Sequence, residues 1–483
     1  MDNKDLKRAT VTSLLWKLME RGGNAVIQLV VQIFMARLLA PEQFGALAIM
    51  LVFVNVGNVI AQSGLNTALV QAKGVTDRDY STVFWMCATV SVVIYIAIFM
   101  AAPAIASFYA LPYLVWPLRG IGLIVIINAY NSIQVAKVSR DLEFRKIFFA
   151  TISSVVISAV CGISSAMVGF GLWALVIQQL TYQLTNCIVL AFEVDWKPCF
   201  AFDVKRARSF FSFGWRLLAS GLLNTIYQSL GNLVIGKQFS SVQLGLVSQG
   251  EKYPQAVGNM LDGAIQPVML SAVARVQDDR VAVKRLVRRA LKTSTYLIFP
   301  TMTLFAVVAP ILVPALLGEQ WGSSVPFLQI YCFVYALLPI HTTNLQALNG
   351  MGRSDLFLKL EIVKKTYGLV ALLACAFVFK NVHLLVLSYM LTGLISTFVN
   401  ASPNKKVIGY SYMEQVKDII PAFAMSICAG ACAYLVAGLM QSGLLVVLLQ
   451  ILVFAAIYLG LSWIFKIETF GYLKTMLGKV FRG

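Results

Sequence analysis

Long apolar runs dominate this sequence and leave few folds open to it. Crossing the hydrocarbon core of a bilayer takes about 20 mainly apolar residues as a helix. Only helices and closed barrels satisfy their backbone polar groups there. The runs occupy residues 11–36, 43–66, 81–108, 112–136, 147–169, 171–193, 210–235, 243–273, 290–317, 322–349, 356–379, 381–401, 415–439 and 442–465. We therefore predict an all-α polytopic membrane protein with about 14 transmembrane helices.

The distribution of charge supports the same topology. Only 12% of the 483 residues are charged, whereas soluble domains carry about a quarter charged residues. With an even number of helices both ends lie on one side, and that side collects nearly all of the cations. The opposite loops hold only Arg37, Lys237 and Lys380. Because cytoplasmic loops are enriched in Lys and Arg, we predict cytoplasmic termini. Topology explains the net charge of +18, so no nucleic-acid partner is expected.

Metal and cofactor chemistry finds little support in the sequence. Seven of the eight cysteines fall inside apolar runs, and none forms a C-x-x-C pair. His341 and His383 are far apart in sequence and have no metal-ligand spacing. We expect no metal site and no cofactor, and we interpret the cysteines as small residues that pack between helices.

A repeat about 200 residues apart divides the chain. The first copy contains Trp16, Gly22, Asn24, Gln28, Arg37, Gln43 and Gly45, and the second contains Trp215, Gly221, Asn224, Gln228, Lys237, Gln243 and Gly245. Such a repeat predicts two pseudo-symmetric six-helix lobes that begin on the same side of the membrane, followed by an unmatched C-terminal helix pair. The predicted segments are an N-lobe over 1–194, a linker over 195–209, a C-lobe over 210–401 and a final segment over 402–483.

Polar side chains recur at helical spacing inside several runs, and we predict that they line a cavity between the lobes. These predicted lining residues are Glu20, Asn24, Gln28, Asn55, Asn58, Asn224, Gln228, Glu251, Gln255, Asn259 and Asp262. Asn and Gln also serve as interhelical hydrogen-bonding groups in membrane proteins. For any single amide, that structural role is the better interpretation.

Five cations within the apolar runs are harder to explain by packing. They are Lys17, Arg21, Arg119, Arg216 and Lys252. A charge at the bilayer centre costs at least about 2.5–3.5 kcal/mol, and Arg21 and Lys252 are the deepest. One interpretation is an ion pair with the adjacent Glu20 or Glu251. The other is a cationic cavity that binds an anion, and a lipid-linked diphosphate is the membrane anion that would need it.

Four stretches resemble a known family. They are residues 36–45 (ARLLAPEQFG), 140–146 (RDLEFRK), 266–279 (from Gln-Pro-Val to Arg-Val-Gln-Asp-Asp) and 317–321 (LGEQW). Together they resemble oligosaccharide flippases of the polysaccharide transporter (Wzx/WzxC-like) family, and colanic-acid-type exporters most of all. That family lies in the MATE-like multidrug/oligosaccharidyl-lipid/polysaccharide exporter superfamily.

The resemblance implies a fourteen-helix, two-lobe transporter of the bacterial inner membrane that works by alternating access. It also implies that the cargo is an undecaprenyl-diphosphate-linked oligosaccharide used to build surface polysaccharide. By helix position, Arg21 and Lys252 match the basic residues that hold the diphosphate in that family, and Lys17, Arg119 and Arg216 match less closely. The implied partners are membrane lipids and the polysaccharide polymerase and chain-length machinery, with the flippase itself a monomer.

Three alternatives remain open. A MATE-like cation-coupled exporter of small molecules would use the carboxylates Glu20, Glu251 and Asp262. A membrane glycosyltransferase or polymerase component would need a metal–nucleotide site, and the only D-x-D is Asp77-Arg78-Asp79. A scaffold protein of the assembly complex would not explain the repeated cationic stripes. The sequence contains no G-x-x-x-x-G-K-[ST], which argues against ATP hydrolysis.

Overall fold

A computed structural model of the chain describes residues 16, 19, 23, 24, 27–62, 64–439 and 443–480. Throughout these residues the regular secondary structure is helical, with no strand. The chain forms two compact units, Met1–Gly245 and Leu246–Gly483. The first unit contains α1 (Ile27–Leu38), α2 (Pro41–Gln62), α3 (Leu65–Gln71), α4 (Asp77–Phe108), α5 (Val115–Asp141), α6 (Phe144–Met167), α7 (Leu172–Glu193) and α8 (Val204–Gln238).

The second unit begins within α9 (Ser241–Arg275). It continues with α10 (Arg280–Leu317), α11 (Val325–Ala336), α12 (Leu338–Gly350), α13 (Ser354–Leu373), α14 (Val382–Ala401), α15 (Asn404–Ile408), α16 (Tyr412–Leu439), α17 (Leu444–Ile464) and α18 (Glu468–Val480). Short 3₁₀ helices cover Pro112–Leu114 and Glu319–Ser324, and a π-helix covers Ala374–Val378.

Ten helical segments in the described part of the chain are long and apolar enough to cross a membrane. They include α2, α4, α5, α6, α7, α10 and α17, together with Glu319–Gly350, Val382–Ile408 and Tyr412–Ala437. The prediction of an all-α polytopic membrane protein is confirmed. The number of crossings, about fourteen, and the four predicted segments of the chain remain predictions.

Two long helices begin earlier than the sequence predicted, because each has an aspartate cap. Asp203 and Asp279 each accept hydrogen bonds from two backbone N–H groups of the first turn of α8 and α10. Such caps satisfy N–H groups that have no partner within the helix. The helix predicted over 290–317 therefore begins ten residues earlier, at Arg280, and only residues 276–279 lie between α9 and α10.

The Gln-x-Gly of the repeat marks a close crossing of α2 and α9. A Cβ atom added at Gly45 would collide with the carbonyl oxygen of Ser241, and one added at Gly245 would collide with that of Pro41. The offset is 200 in both pairs, so the two contacts are reciprocal. Glycine is required because the helix backbones approach too closely for any side chain. The repeat thus encodes a packing contact between its own two copies.

The helix predicted over 322–349 is divided into α11 and α12 at Leu337. Pro339 lies in the first turn of α12, where its missing N–H costs no intrahelical hydrogen bond. Just beyond, three amides join α12, α15 and α16 in the core. Asn344 donates to Gln415 over 2.9 Å, Gln415 donates back over 3.0 Å, and Asn404 also donates to Asn344. All three side chains are buried.

Candidate functional site

The main candidate site lies on α9, along a row of polar residues that we call the α9 stripe. Its members are Lys252, Gln255, Asn259, Asp262 and Gln266. Gln255, Asn259 and Gln266 are exposed, while Lys252 and Asp262 are half-buried. Most other residues of α9 are apolar or small, so the stripe is a polar path along a helix that is otherwise suited to a low-dielectric environment.

Lys252 has no carboxylate partner in the described part of the chain. Its sequence neighbour Glu251 instead accepts a hydrogen bond from the Tyr335 hydroxyl over 2.8 Å. Gln255 donates to the same hydroxyl over 2.9 Å. Tyr331, one turn earlier on α11, also hydrogen-bonds Glu251. The ion pair considered between Glu251 and Lys252 is therefore absent, and the two charges are separately placed.

Two glycines allow α9 to lie close enough to α11 for these contacts. A Cβ atom at Gly258 would come within 2.9 Å of the Tyr335 ring. At Gly250 it would lie 3.0 Å from the Leu328 backbone nitrogen. Because the two positions are eight residues apart, they share one face of the helix. That face places Tyr335 against Glu251.

Farther along α9, Asp262 accepts a hydrogen bond from the Thr342 hydroxyl of α12. Asn259, one turn before it, is exposed. The α9 stripe thus carries a lone cation near one end and a hydrogen-bonded carboxyl about ten residues away. The two positions are nearly three helical turns apart, about 15 Å along the axis.

In the first repeat copy, Lys17, Glu20 and Arg21 lie outside the described residues, so their placement as cavity residues stays a prediction. Asn24 is half-buried, and its side-chain oxygen has no hydrogen-bond partner. Gln28, one turn later, is exposed. A buried amide oxygen without a partner is costly, which fits a position that faces a polar ligand.

The other two predicted cations have different surroundings. Arg119 donates from Nε to the Phe99 carbonyl over 3.2 Å and stacks over the rings of Phe99 and Trp116. Arg216 is exposed, with its guanidinium 5.9 Å from the centre of the adjacent Trp215 ring. Cation–π contact stabilises each of them locally. Their role in a cavity stays a prediction.

The predicted lining amides of the first unit divide into two groups. Asn58 accepts from Asn128 over 3.0 Å, and Gln183 donates to Asn128, so an amide chain joins α2, α5 and α7. This is the interhelical role that amides commonly have in membranes. Asn55, on the same helix as Asn58, is exposed, as are Asn224 and Gln228 of α8.

Sequence reasoning missed Tyr331 and Tyr335, because aromatic residues in an apolar run look like core. The four-residue spacing that places both on one face was the available signal. Asn344, a polar residue inside the predicted run 322–349, is buried against Gln415 and Asn404 in the structure. A buried amide in a run that ends in polar residues is easily mistaken for a lining residue.

The structure gives the D-x-D motif a structural role. Asp79 accepts from the Thr76 backbone N–H over 2.8 Å in a capping box and pairs with Arg206 at 2.9 Å. Asp77 pairs with Lys137 at 3.3 Å. Among the described residues, no group of three His, Cys, Asp or Glu side chains is arranged to hold a metal ion. These carboxylates stabilise the start of α4.

The chain is similar to several known proteins. A family model described as "Polysaccharide biosynthesis protein" matches residues 34–326. The chain is 22% identical over 429 residues to the lipopolysaccharide biosynthesis protein WzxC of Escherichia coli (strain K12), covering 87% of this chain and 86% of that protein. It is 23% identical over 359 residues to the succinoglycan biosynthesis transport protein ExoT of Rhizobium meliloti (strain 1021), covering 74% and 72%.

Solved structures show the fold. The lipid II flippase MurJ in an inward closed conformation matches with a TM-score of 0.76 at 13% identity, over 94% of this chain and 98% of that one. An inward-facing multidrug transporter of the MATE family matches with a TM-score of 0.58 at 13% identity, over 81% and 98%. The fold is therefore the one that MurJ and the MATE transporters share.

Proposed function

The chain belongs to the polysaccharide biosynthesis protein family, and from that membership we propose that it is a flippase rather than an enzyme. Its cargo is an undecaprenyl-diphosphate-linked oligosaccharide repeat unit, which it moves from the inner to the outer leaflet for surface polysaccharide synthesis. The relative WzxC takes part in lipopolysaccharide biosynthesis, and ExoT is a succinoglycan transport protein. MurJ, a lipid II flippase, has the same fold.

One observation carries the proposal. Lys252 is half-buried on a mostly apolar helix, and among the described residues it has neither a hydrogen-bond acceptor nor a carboxylate partner. An intramembrane cation costs about 2.5–3.5 kcal/mol or more unless something compensates it. Because Tyr335 and Tyr331 hydrogen-bond Glu251, that carboxylate does not compensate the lysine. An anionic ligand would, and the diphosphate of a lipid-linked sugar is an anion that reaches this depth.

In the proposed mechanism, the diphosphate enters from the cytoplasmic leaflet and binds Lys252 together with Arg21. The sugars contact the exposed amides of the α9 stripe, including Gln255 and Asn259. The polyprenyl chain stays in the lipid throughout, so it is never exposed to water. Alternating access then exposes the head group on the outer side.

The crossing of α2 and α9 at Gly45 and Gly245 suggests which helix contact must open during transport. The two glycines come just after the predicted outer turns that end α1 and α8, where the two repeat copies touch. In the proposed cycle, Gly45 and Gly245 separate when the transporter opens outward. Cytoplasmic termini, a bacterial inner-membrane location and a monomeric state belong to the same proposal, as does contact with polymerase and chain-length machinery.

The test is retention of undecaprenyl-diphosphate sugar by the purified full-length protein, measured by native mass spectrometry in detergent. We expect Lys252→Ala and Arg21→Ala to lower the bound fraction about tenfold or more, since a charge-assisted hydrogen bond contributes about 1.5–3 kcal/mol. Lys252→Arg should keep most of the binding because it keeps the charge.

Lys359→Ala is the matched control, because Lys359 is an exposed lysine of α13 and is not a member of the α9 stripe. It should bind as the wild type does. The proposal fails if the wild type ignores the diphosphate lipid, or if all variants bind it equally while they remain folded.

A second candidate function is a cation-coupled small-molecule exporter. It is favoured by the two half-buried carboxyls of α9, Glu251 and Asp262, and by the fold shared with MATE transporters. In that case Glu251→Gln would abolish ion-driven efflux from proteoliposomes, and Lys252→Ala would leave it intact. Under the flippase proposal, loss of Lys252 is the damaging change.

A further inference from the structure

A separate basic cavity lies between the first turns of α10 and the C-terminal helix α18. We call it the α10–α18 pocket. It measures about 470 Å³. Four of its side chains are cationic and one is acidic. The residues that matter for the argument are Arg285, Arg288, Arg289, Lys292, Glu468 and Tyr472.

Two of the four cations are already neutralised. The Arg288 guanidinium makes two hydrogen bonds of 2.7 Å to the Asp418 carboxylate. Lys292 lies 2.9 Å from Glu468 and 3.8 Å from Asp418. These bidentate and bridging ion pairs attach α10 to α16 and α18. They hold the pocket together, and their charges are already used within the protein.

The other two cations form no ion pair within 4 Å of a carboxylate in the described ranges, although Arg289 lies close enough to Glu468 to interact with it electrostatically. Arg289 lies with its guanidinium 3.8 Å from the centre of the Tyr472 ring. Stacking on an aromatic face holds a guanidinium in place and leaves its N–H groups free in its plane. Arg285, one turn earlier on α10, is exposed. Since they are four residues apart, the two guanidinium groups lie on one face of the helix.

The depth of the pocket points to a membrane lipid. α17 ends at Ile464, and Trp463 and Phe465 beside it are 73% and 65% exposed. Large aromatic side chains at the end of an apolar helix are typical of the level of the lipid head groups. α18 begins three residues after Phe465. On the predicted topology this is the cytoplasmic surface, where anionic lipids concentrate.

We propose that the α10–α18 pocket binds the phosphate group of an anionic phospholipid of the cytoplasmic leaflet, with Arg285 and Arg289 as its ligands. Two fork-shaped donors on one helix face match the oxygens of a phosphodiester. The lipid would hold α18 against α10 from the membrane side. The site is separate from the α9 stripe and does not depend on what the protein transports.

The test uses the full-length protein in detergent, with phosphatidylglycerol and zwitterionic phosphatidylethanolamine as probes, and native mass spectrometry as the readout. We expect the wild type to retain phosphatidylglycerol in preference to phosphatidylethanolamine. The double variant Arg285→Gln/Arg289→Gln should retain it about tenfold or more weakly, because it loses two charge-assisted contacts. Binding of undecaprenyl-diphosphate sugar should be unchanged in this variant, which separates the proposal from the transport function.

Arg275→Gln/Arg280→Gln is the matched control, since it removes two exposed arginines from the same stretch outside the pocket. It should retain phosphatidylglycerol as the wild type does. Equal loss in both double variants would mean general attraction to a basic surface and would overturn the proposal. So would displacement of the lipid by millimolar inorganic pyrophosphate, which would assign the pocket to a soluble anion. If the double variant melts early, Arg285→Gln alone is used, because Arg285 forms no hydrogen bond or ion pair with the residues that the structure describes.

Discussion

Gly45→Ala tests the helix crossing that the repeat encodes. An added Cβ atom at Gly45 would lie 2.7 Å from the Ser241 carbonyl carbon and closer still to its oxygen. Ordinary contact begins at 3.4 Å, so the carbonyl carbon alone requires the two backbones to separate by about 0.7 Å, and the nearer oxygen requires a larger separation. Neither neighbour is a flexible side-chain end, so nothing can rotate away.

The cost follows from overpacking. Forcing extra atoms into a well-packed contact costs about 1–3 kcal/mol, and the better helix propensity of alanine returns up to about 1 kcal/mol. We therefore expect a net loss of up to about 2 kcal/mol from these two effects. Gly460→Ala in α17 makes the same chemical change where an added Cβ meets nothing within 4 Å. It should be neutral or stabilising by about 0.5–1 kcal/mol.

Thermal unfolding of the detergent-solubilised variants measures this difference. Part of the cost can appear as a shift toward a conformation in which the crossing is open, so labelling of a cysteine placed at Ser240 is measured alongside. Gly245→Ala should behave like Gly45→Ala, because its Cβ would meet the equivalent carbonyl of Pro41. If Gly45→Ala melts and labels as the wild type does, the close crossing is wrong.

Three further predictions concern the second unit. Arg288→Ala should destabilise the protein by about 1–3 kcal/mol, because it removes the bidentate partner of a carboxylate that is only 5% exposed and that keeps its contacts with Lys292 and Tyr410; adding Asp418→Ala should recover part of the loss in a double-mutant melting cycle. Asn344→Leu should cost about 1–3 kcal/mol by leaving its buried amide partners unsatisfied, and an unchanged melting temperature would contradict that network. The hydrogen bond from Lys292 lowers the pKa of Glu468; the contribution of this pair to stability is therefore present above the ordinary glutamate pKa of about 4.3 and is lost as the pH falls below it. The protection factors of the α18 amides, in which the intrinsic pH dependence of hydrogen exchange is removed, should fall on acidification in the wild type and already be low at pH 7 in Lys292→Met.

The membrane made most of the fold predictable. A bilayer leaves an apolar run of 20 residues only one common conformation, so the run positions located the helices within a few residues. Charged segments at the membrane surface have no such constraint. The first ten residues of α10 lie outside the predicted run 290–317 because they are rich in charge, and the Asp279 cap marks the true start of the helix.

The candidate site was less predictable for a different reason. The sequence singled out Lys252 because a cation in an apolar run is expensive. It could not show that the neighbouring Glu251 hydrogen-bonds Tyr335, which is 84 residues away. Whether adjacent charges pair depends on the partners that tertiary packing brings to each of them. Here Gly250 and Gly258 allow the close approach of α11 that brings Tyr335 to Glu251. Their spacing could be interpreted only after α11 was known to be the opposing helix.

The length of α10 has a mechanical consequence. Its 38 residues correspond to about 57 Å of helix, against about 30 Å of hydrocarbon, so about 27 Å stands outside the membrane core. All three of its prolines, Pro300, Pro310 and Pro314, lie beyond this outer portion, which therefore has no proline kink. A tilt of about 10° within the bilayer would move its tip by about 5 Å. The first turns of α10 thus move when the membrane-spanning part tilts. A molecule that binds them at the membrane surface opposes or assists rearrangements deep in the transporter.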